Sequence, residues 1–140
     1  MMVIVIIGIL AAVAIPRFVA ANTKSKQNEA KTFLRQIHAM EKVYFEEHKT
    51  YWGGLEAAFM ENVRGSVIVY ADKAEPDRFS YIGVQIPSNA RYTYSIEASK
   101  SSFNVIANCP NPGLDDDPTP DTWMINEEGI LTCTSDDSKD

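Results

Sequence analysis

The chain has few of the residues from which most metal sites and nucleophilic active sites are built. It contains two cysteines and two histidines in 140 residues, with neither a CxxC pair nor a zinc-binding spacing. His38 and His48 are ten residues apart, about 15 Å along a helix, so they cannot share a metal ion within one chain. The HExxH, GxSxG and P-loop motifs are also missing. We therefore predict that the chain is not an enzyme and carries no cofactor.

Glycine and proline are scarce too, with seven of each, which excludes collagen-like and low-complexity chains. The hydrophobic content of 45% is typical of one folded domain at this length. Residues 1–108 carry a net charge of +2 and residues 109–140 carry −8, which together give the overall charge of −6. A chain with this balance has no general attraction for phosphate backbones, so no nucleic-acid partner is predicted.

The first fifteen residues, MMVIVIIGILAAVAI, contain no polar side chain. A cleaved signal peptide would have a basic residue before such a run, and a helix that spans a bilayer needs roughly 20 apolar residues. A buried helix of a small soluble domain is rarely apolar on every face. Lipid or other copies of the chain must surround this segment. We therefore expect residues 1–22 to form a membrane anchor or the core of a filament.

Residues 22–49 continue as an amphipathic helix. Apolar side chains recur at steps of three and four residues, which is the helical period: Ala30, Phe33, Leu34, Ile37, Met40 and Tyr44. No break separates this pattern from the apolar run, so one helix of roughly 70 Å is predicted over about 1–49. Only its C-terminal half can be covered by a domain of this size. We expect the globular domain over 23–133 and a disordered tail over 134–140, where little apolar surface remains.

Beyond Thr50 the apolar pattern changes to the two-residue period of strands. Strands are predicted at four places: Ser66–Tyr70, Phe79–Ile86, Tyr92–Ala98 and Phe103–Ala107. The segments 123–125 and 129–132 indicate a further hairpin. Residues 55–62 have the pattern of a short helical turn. The predicted fold class is α+β, with the C-terminal half of the long helix packed on an antiparallel sheet of about four strands.

Cys109 and Cys133 lie on either side of an acidic segment. They are either two unrelated buried thiols or a disulfide pair. A disulfide makes better physical sense, because the segment between them has little hydrophobic content and closing it would contribute roughly 3.5 kcal/mol in the chain-entropy model. Such a bond would indicate an oxidising compartment.

Four carboxylates occur within Asp115–Asp121. Oxygen ligands of this kind suit calcium, but the order does not match an EF-hand loop. A solvated acidic loop is the favoured interpretation, and no metal ligand is assigned.

A set of aromatic residues would be compatible with electron hopping or carbohydrate binding, but its spacing fits a helix–sheet core better. The set comprises Tyr44, Phe45, Tyr51, Trp52, Phe59, Tyr81, Tyr92 and Tyr94.

The first fifty residues carry a specific resemblance to a known family. The segment MMVIVIIGILAAVAIPRF is similar to the N-terminal helix of type IV pilins, and SKQNEAKTFL and KVYFEEHKTY resemble the type IVa major pilins. A C-terminal cysteine pair is a further trait of those pilins. The resemblance implies helices bundled in a filament core with the sheet domains outside. The residues expected in the filament core or membrane are Val3, Ile4, Ile7, Gly8, Leu10, Ala11, Ala12, Ile15 and Pro16.

The chain departs from the family pattern at its start. Type IV pilins have a short basic leader ending in Gly, then a mature chain that begins with Phe and has a Glu four residues later. This sequence begins at a position that matches about the seventh mature residue. Six further residues would extend the apolar run to about 21, enough to span a bilayer.

The resemblance implies a structural subunit of a type IV pilus that serves adhesion, twitching motility or surface contact. Its expected partners are other copies of itself through the N-terminal helices, the bacterial inner membrane before assembly, and the pilus assembly machinery. The expected location is an extracellular pilus. A type II secretion pseudopilin or a minor pilin is the alternative, and a soluble adhesin-like binding domain is a third class.

Overall fold

The structure is a computed structural model that describes residues 2–52, 67–71, 78–109, 113–114 and 119–136. Within these ranges, the side chains of 2, 15–17, 19–20, 67–71 and 78 are not described. The predicted helical turn at 55–62 lies outside the described residues.

A single helix, α1, runs from Met2 to His48 without interruption at Pro16. Its 47 residues correspond to about 70 Å, which confirms the long helix predicted from the sequence. The residue after the helix, Lys49, has a φ of 58° and donates its backbone N–H to the carbonyl of Phe45 at 2.8 Å. This left-handed residue stops the helix in the way a C-terminal glycine usually does.

The second half of the chain forms one antiparallel sheet. Its strands lie in chain order across the sheet, and their bounds are Val67–Ala71 (β1), Thr93–Ala98 (β2), Phe103–Cys109 (β3), Asp121–Asn126 (β4) and Leu131–Ser135 (β5). The sheet has five strands where the sequence indicated about four. The α+β fold class is confirmed. Strand β5 includes residues 134 and 135, which the sequence assigned to the tail.

The prediction of a strand over Phe79–Ile86 is wrong. Residues 78–82 form a 3-10 helix, and residues 84–86 follow as an unpaired segment. Gly83 has a φ of +81° and donates its N–H to the carbonyl of Ser80 at 2.9 Å. Because this conformation suits glycine and closes a turn, the chain cannot continue straight through it. The apolar side chains of the segment still enter the core, which explains why the sequence pattern looked like a strand.

The sheet buries one face against the C-terminal half of α1. Buried and half-buried residues alternate strictly along β2, as predicted. Ala30, Leu34 and Ile37 of α1 are completely buried against this face. The stripe predicted for the helix therefore faces the sheet, and its outer faces are left to solvent.

One acidic side chain lies inside this packed half of the helix. Glu41 has no solvent-exposed surface, and its Oε2 accepts a hydrogen bond from the backbone N–H of Trp52 at 2.9 Å. Its Oε1 has no hydrogen-bond partner in the described part of the chain. Burial raises the pKa of Glu41 from 4.5 to about 7, and the bond from Trp52 lowers it by a smaller amount. The Glu41 carboxyl therefore anchors the turn after α1, and its burial makes the stability of the domain depend on pH.

We expect the substitution Glu41→Gln to remove a pH dependence of stability. The folded state holds the Glu41 proton up to about pH 7, whereas the unfolded carboxyl releases it near pH 4.5. The contribution of this proton to the free energy of unfolding is therefore complete below pH 4.5. It is lost as the pH rises to 7, which lowers the free energy of unfolding by about 3 kcal/mol. Glutamine keeps the acceptor for Trp52, so the variant should match the original at pH 4.5 and exceed it at pH 8.

Urea unfolding at both pH values measures this difference. The exposed Glu47 on the same helix provides the matched control, Glu47→Gln, which should leave the pH profile as it is. A Glu41→Gln variant that loses stability between pH 4.5 and 8 as steeply as the original would contradict the assignment.

Candidate functional site

The N-terminal half of α1 exposes large apolar side chains on every face. We call residues 2–22 the apolar arm. Every residue from 3 to 14 is exposed, and the exposures of the large apolar ones range from 54% at Val13 to 72% at Ile4. A contiguous apolar surface of this kind marks an interaction site in a folded protein. No helix in the described residues is both long and apolar enough to cross a membrane.

The residues assigned to the filament core from the sequence lie on this arm. Val3, Ile4, Ile7, Leu10, Ala11 and Ala12 are all exposed, so the structure does not bring them against any other element of the described chain. Ile15 and Pro16 belong to the helix, but their side chains are not among those described.

Small residues leave a shallow groove along one face of the apolar arm. Gly8 and Ala12 are four residues apart and share a face, and a Cβ added at Gly8 would meet nothing within 4 Å. Contacts within the chain therefore do not require glycine at this position. Small residues at this spacing let two helices approach closely when they pack.

A buried polar cluster holds α1 where it enters the globular domain. Asp121, the first residue of β4, has no exposed surface. Its Oδ1 accepts a hydrogen bond from Gln27 Nε2 at 2.8 Å, and its Oδ2 accepts from Tyr92 OH at 2.5 Å and from Trp123 Nε1 at 2.7 Å. Gln27 Nε2 also donates to Asp136 Oδ1 at 2.9 Å. One carboxyl group thus connects the helix, the segment before β2, and β4.

The sequence interpretation placed Asp121 in a solvated acidic loop, and for this residue it was wrong. Asp121, Trp123 and Ile125 share the inner face of β4, an alternation that was present in the sequence but was obscured by the aspartates before it. Asp115–Asp117 lie outside the described residues. Among the described residues, no group of three or more His, Cys, Asp or Glu is placed to hold a metal ion.

The surroundings of Asp121 also affect a tyrosine. Burial and the hydrogen bond to Asp121 both raise the pKa of Tyr92, burial being the larger cause. The phenol therefore remains a hydrogen-bond donor to the carboxyl at any ordinary pH.

Further contacts fix the two sides of α1. Arg91 donates twice to Glu29, from its backbone N at 2.9 Å and from Nη1 at 3.0 Å, and Lys26 Nζ donates to the carbonyl of Leu114. On the other side, Lys31 Nζ lies 4.1 Å from the ring centroid of Trp123. Exposed ion pairs and cation–π contacts each contribute about 1 kcal/mol or less. They orient the helix more than they stabilise it.

The structure does not contain the disulfide predicted between Cys109 and Cys133. Cys109 on β3 is opposite Asp121, and Cys133 on β5 is opposite Trp123. Strand β4 therefore lies between the two cysteines, which places their Cα atoms on the order of 10 Å apart. A disulfide requires Cα atoms within about 7 Å. The Cys133 thiol instead donates to the carbonyl of Ser135 at 3.2 Å, and the argument for an oxidising compartment loses its basis.

The aromatic residues belong to the core, as the spacing indicated. The ring centroid of Tyr51 is 4.7 Å from that of Phe45, another member of the set, and 4.6 Å from that of Phe103 on β3. Tyr81 is the exception, since 73% of it is exposed, and Phe59 lies outside the described residues. The two histidines have separate roles: His38 Nε2 is 3.1 Å from the carbonyl of Glu127, and His48 Nδ1 is 3.2 Å from the carbonyl of Tyr44.

One comparison with known proteins gives a significant similarity. The chain is 49% identical over 51 residues to the type IV major pilin protein PilA of Myxococcus xanthus (strain DK1622). The match covers 36% of this chain and 23% of that pilin, so this chain spans well under two thirds of its relative. No family model matches the chain, and no solved structure does.

We expect Asp121→Asn to destabilise the domain by about 2–4 kcal/mol, because an amide nitrogen would face a donor inside a buried cluster. Thermal or urea unfolding measures the loss. Glu128 is exposed in the β4–β5 turn, so Glu128→Gln makes the same acid-to-amide change without a buried partner and should stay within about 0.5 kcal/mol. Equal effects of the two substitutions would show that the cluster does not hold the helix.

Proposed function

We propose that this chain is the structural subunit of a type IV pilus and that it polymerises through the apolar arm of α1. The observation that carries the proposal is the exposure of large apolar side chains on every face of residues 3–14. A surface that surrounds a helix completely can be covered only by several neighbours at once. A bundle of identical helices provides such neighbours, and the similarity to a type IV major pilin supports this arrangement.

The arm is too apolar to remain exposed to water. Burying one Val, Leu, Ile or Phe side chain contributes about 1.5–3 kcal/mol, and the exposed residues include Val3, Ile4, Val5, Ile6, Ile7, Ile9, Leu10, Val13 and Phe18. Relative to exposure in water, their burial together is worth on the order of 10 kcal/mol or more, so an assembled arm is strongly held out of water. The sheet domain contributes less apolar surface and would lie on the outside of the filament.

The proposal also covers where the subunit resides before and after assembly. Before assembly the subunit resides in the bacterial inner membrane, and the pilus assembly machinery transfers its arm from lipid into the growing bundle. Because lipid and bundle are similarly apolar, this transfer costs little, and close packing at Gly8, Ala11 and Ala12 favours the bundle. The extracellular filament then serves adhesion and twitching motility.

Electron microscopy of filaments sheared from the cell surface tests the proposed function. Deletion of the gene should remove the filaments, and restoring the gene should return them. Filaments that persist unchanged after the deletion would contradict a major-subunit role and would favour a minor pilin or a pseudopilin.

We expect Gly8→Leu to abolish or strongly reduce filament formation while the subunit folds normally. A Cβ added at Gly8 meets nothing within 4 Å, so we expect the larger side chain to disturb contacts between subunits and not the fold of the subunit. The change Ile6→Leu, which conserves volume on the same arm, is the matched control and should assemble. Filament yield and the far-ultraviolet circular dichroism of the subunit give the two readouts. Normal filaments from Gly8→Leu would exclude close helix packing at this face.

We also expect that removing residues 1–22 gives a monomeric, soluble domain. The remaining part of α1 buries one face against the sheet and exposes polar faces. Analytical ultracentrifugation over a range of concentrations measures the mass. Large assemblies of the shortened protein would place the polymerisation interface outside the apolar arm.

A further inference from the structure

The Glu41 side chain is buried with only part of its hydrogen-bonding capacity used. It has no exposed surface, and its Oε2 accepts one hydrogen bond, from the backbone N–H of Trp52 at 2.9 Å. Its Oε1 has no partner among the described residues. An ionised carboxylate can accept about four hydrogen bonds. This environment therefore suits the neutral acid and disfavours the charged form.

The two lysines at this end of α1 are engaged by other groups. Lys42 Nζ donates to Tyr51 OH at 3.3 Å, and Lys49 Nζ lies 3.5 Å from Glu46 Oε2. The sheet and the 3-10 helix at 78–82 contribute buried apolar side chains here, namely Ala98, Phe103, Phe79 and Ile82. A negative charge on Glu41 would therefore lie among apolar groups.

Tyrosines and histidines are the other titratable groups around this end of the helix. Burial raises the pKa of Tyr44, and the charges of Tyr81 and Glu41 raise it further, so Tyr44 stays neutral near pH 7. His48 stacks on the Tyr44 ring with centroids 4.1 Å apart, and the His38 ring lies 5.6 Å from that of Phe103. Any test of Glu41 must therefore separate its proton from those of the two histidines.

Trp52 extends from the buried carboxyl to the surface of the domain. Its backbone N–H contacts Glu41, and its ring lies 5.6 Å from that of Phe79 and 6.3 Å from that of Tyr81. Tyr81 is 73% exposed. Displacement of Trp52 breaks one hydrogen bond and these ring contacts, whereas global unfolding breaks the whole sheet. Movement of this turn is therefore the smaller change that gives Glu41 access to water.

We propose that Glu41 and Trp52 form a pH-dependent switch, in which loss of the Glu41 proton opens the turn at residues 50–52 while α1 and the sheet stay folded. The neutral acid keeps the turn closed. When the acid releases its proton to solvent, the carboxylate gains water through the open turn. The switch lies within one subunit, so it does not depend on filament assembly.

The size of the effect follows from the two states of the Glu41 carboxyl. Burial raises its pKa from 4.5 to about 7 in the closed form, and the open form returns it to its ordinary value. The closed form is therefore favoured fully below pH 4.5 and loses this advantage as the pH rises to 7. The open fraction should increase by about tenfold per pH unit in that range, and by roughly fiftyfold or more from pH 5 to pH 8.

Amide hydrogen exchange of the full chain in detergent micelles tests the switch, because the Trp52 N–H is itself the donor to Glu41. The variant Glu41→Gln keeps an acceptor that does not titrate. The ratio of the Trp52 exchange rates, original over variant, cancels the intrinsic pH dependence and the effects of His38 and His48. This ratio should rise by about fiftyfold or more from pH 5 to pH 8. The matched control Glu47→Gln, at an exposed carboxylate, should behave like the original.

Low concentrations of urea distinguish opening of the turn from global unfolding, since the response to urea increases with the surface exposed. Exchange at Trp52 should hardly change with urea, whereas exchange at Ile96, in a strand paired on both sides, should become faster. The urea response and the pH response of the original chain remain a test even if circular dichroism shows that Glu41→Gln does not fold.

Three results would overturn the inference. The first is an original chain in which Trp52 exchange shows no acceleration beyond the intrinsic pH dependence. The second is a folded Glu41→Gln variant that accelerates as much as the original, because another group would then be responsible. The third is exchange at Trp52 that responds to urea as steeply as exchange at Ile96, because the charge would then be relieved by global unfolding.

Discussion

The helix α1 has 47 residues and only its C-terminal half packs on the sheet, and the rest of the molecule follows from how its two halves are covered. From Thr23 onwards α1 has one buried face, and the sheet covers that face completely at Ala30, Leu34 and Ile37. Before Thr23 every side chain described is exposed, and most are apolar. No rearrangement of a five-stranded sheet could cover both halves. The exposed apolar surface of the uncovered half is therefore the feature on which the proposed assembly rests.

Two buried carboxyl groups fix the covered half of the helix at its ends. Asp121 accepts hydrogen bonds from three side chains near the point where α1 enters the domain. Glu41 holds the turn after the helix through one bond to the backbone of Trp52. Apolar packing alone would allow the helix to slide by one turn on the sheet, because its stripe repeats at each turn. The polar bonds are satisfied in one position only, so they specify the register that apolar burial leaves open.

The elements dominated by local pattern could be predicted from the sequence, and those that depend on distant pairings could not. The long helix and the alternation in β2 could be predicted because each has a periodic pattern within one continuous stretch of sequence. The segment around Gly83 has the alternation of a strand, but a turn at that glycine removes it from the sheet. Asp121 was assigned to solvent because its neighbours in sequence are acidic, whereas its neighbours in space are Gln27 and Tyr92. The disulfide was expected because the segment between the two cysteines has little hydrophobic content, whereas the sheet places β4 between them.

In the proposed filament, the apolar arm and the globular domain contribute to assembly in different ways. Burial of the arm is non-directional, so it stabilises a bundle but does not determine how one subunit is rotated or shifted against the next. Interactions between charged groups depend on position and sign, and they contribute more to register and to the exclusion of wrong contacts than to affinity. A subunit with an apolar arm alone would aggregate without order. In the proposed filament the globular domains have to supply the direction that the arm lacks. Because the domain is built on the same helix that carries the arm, orientation of the domains also orients the helices in the bundle.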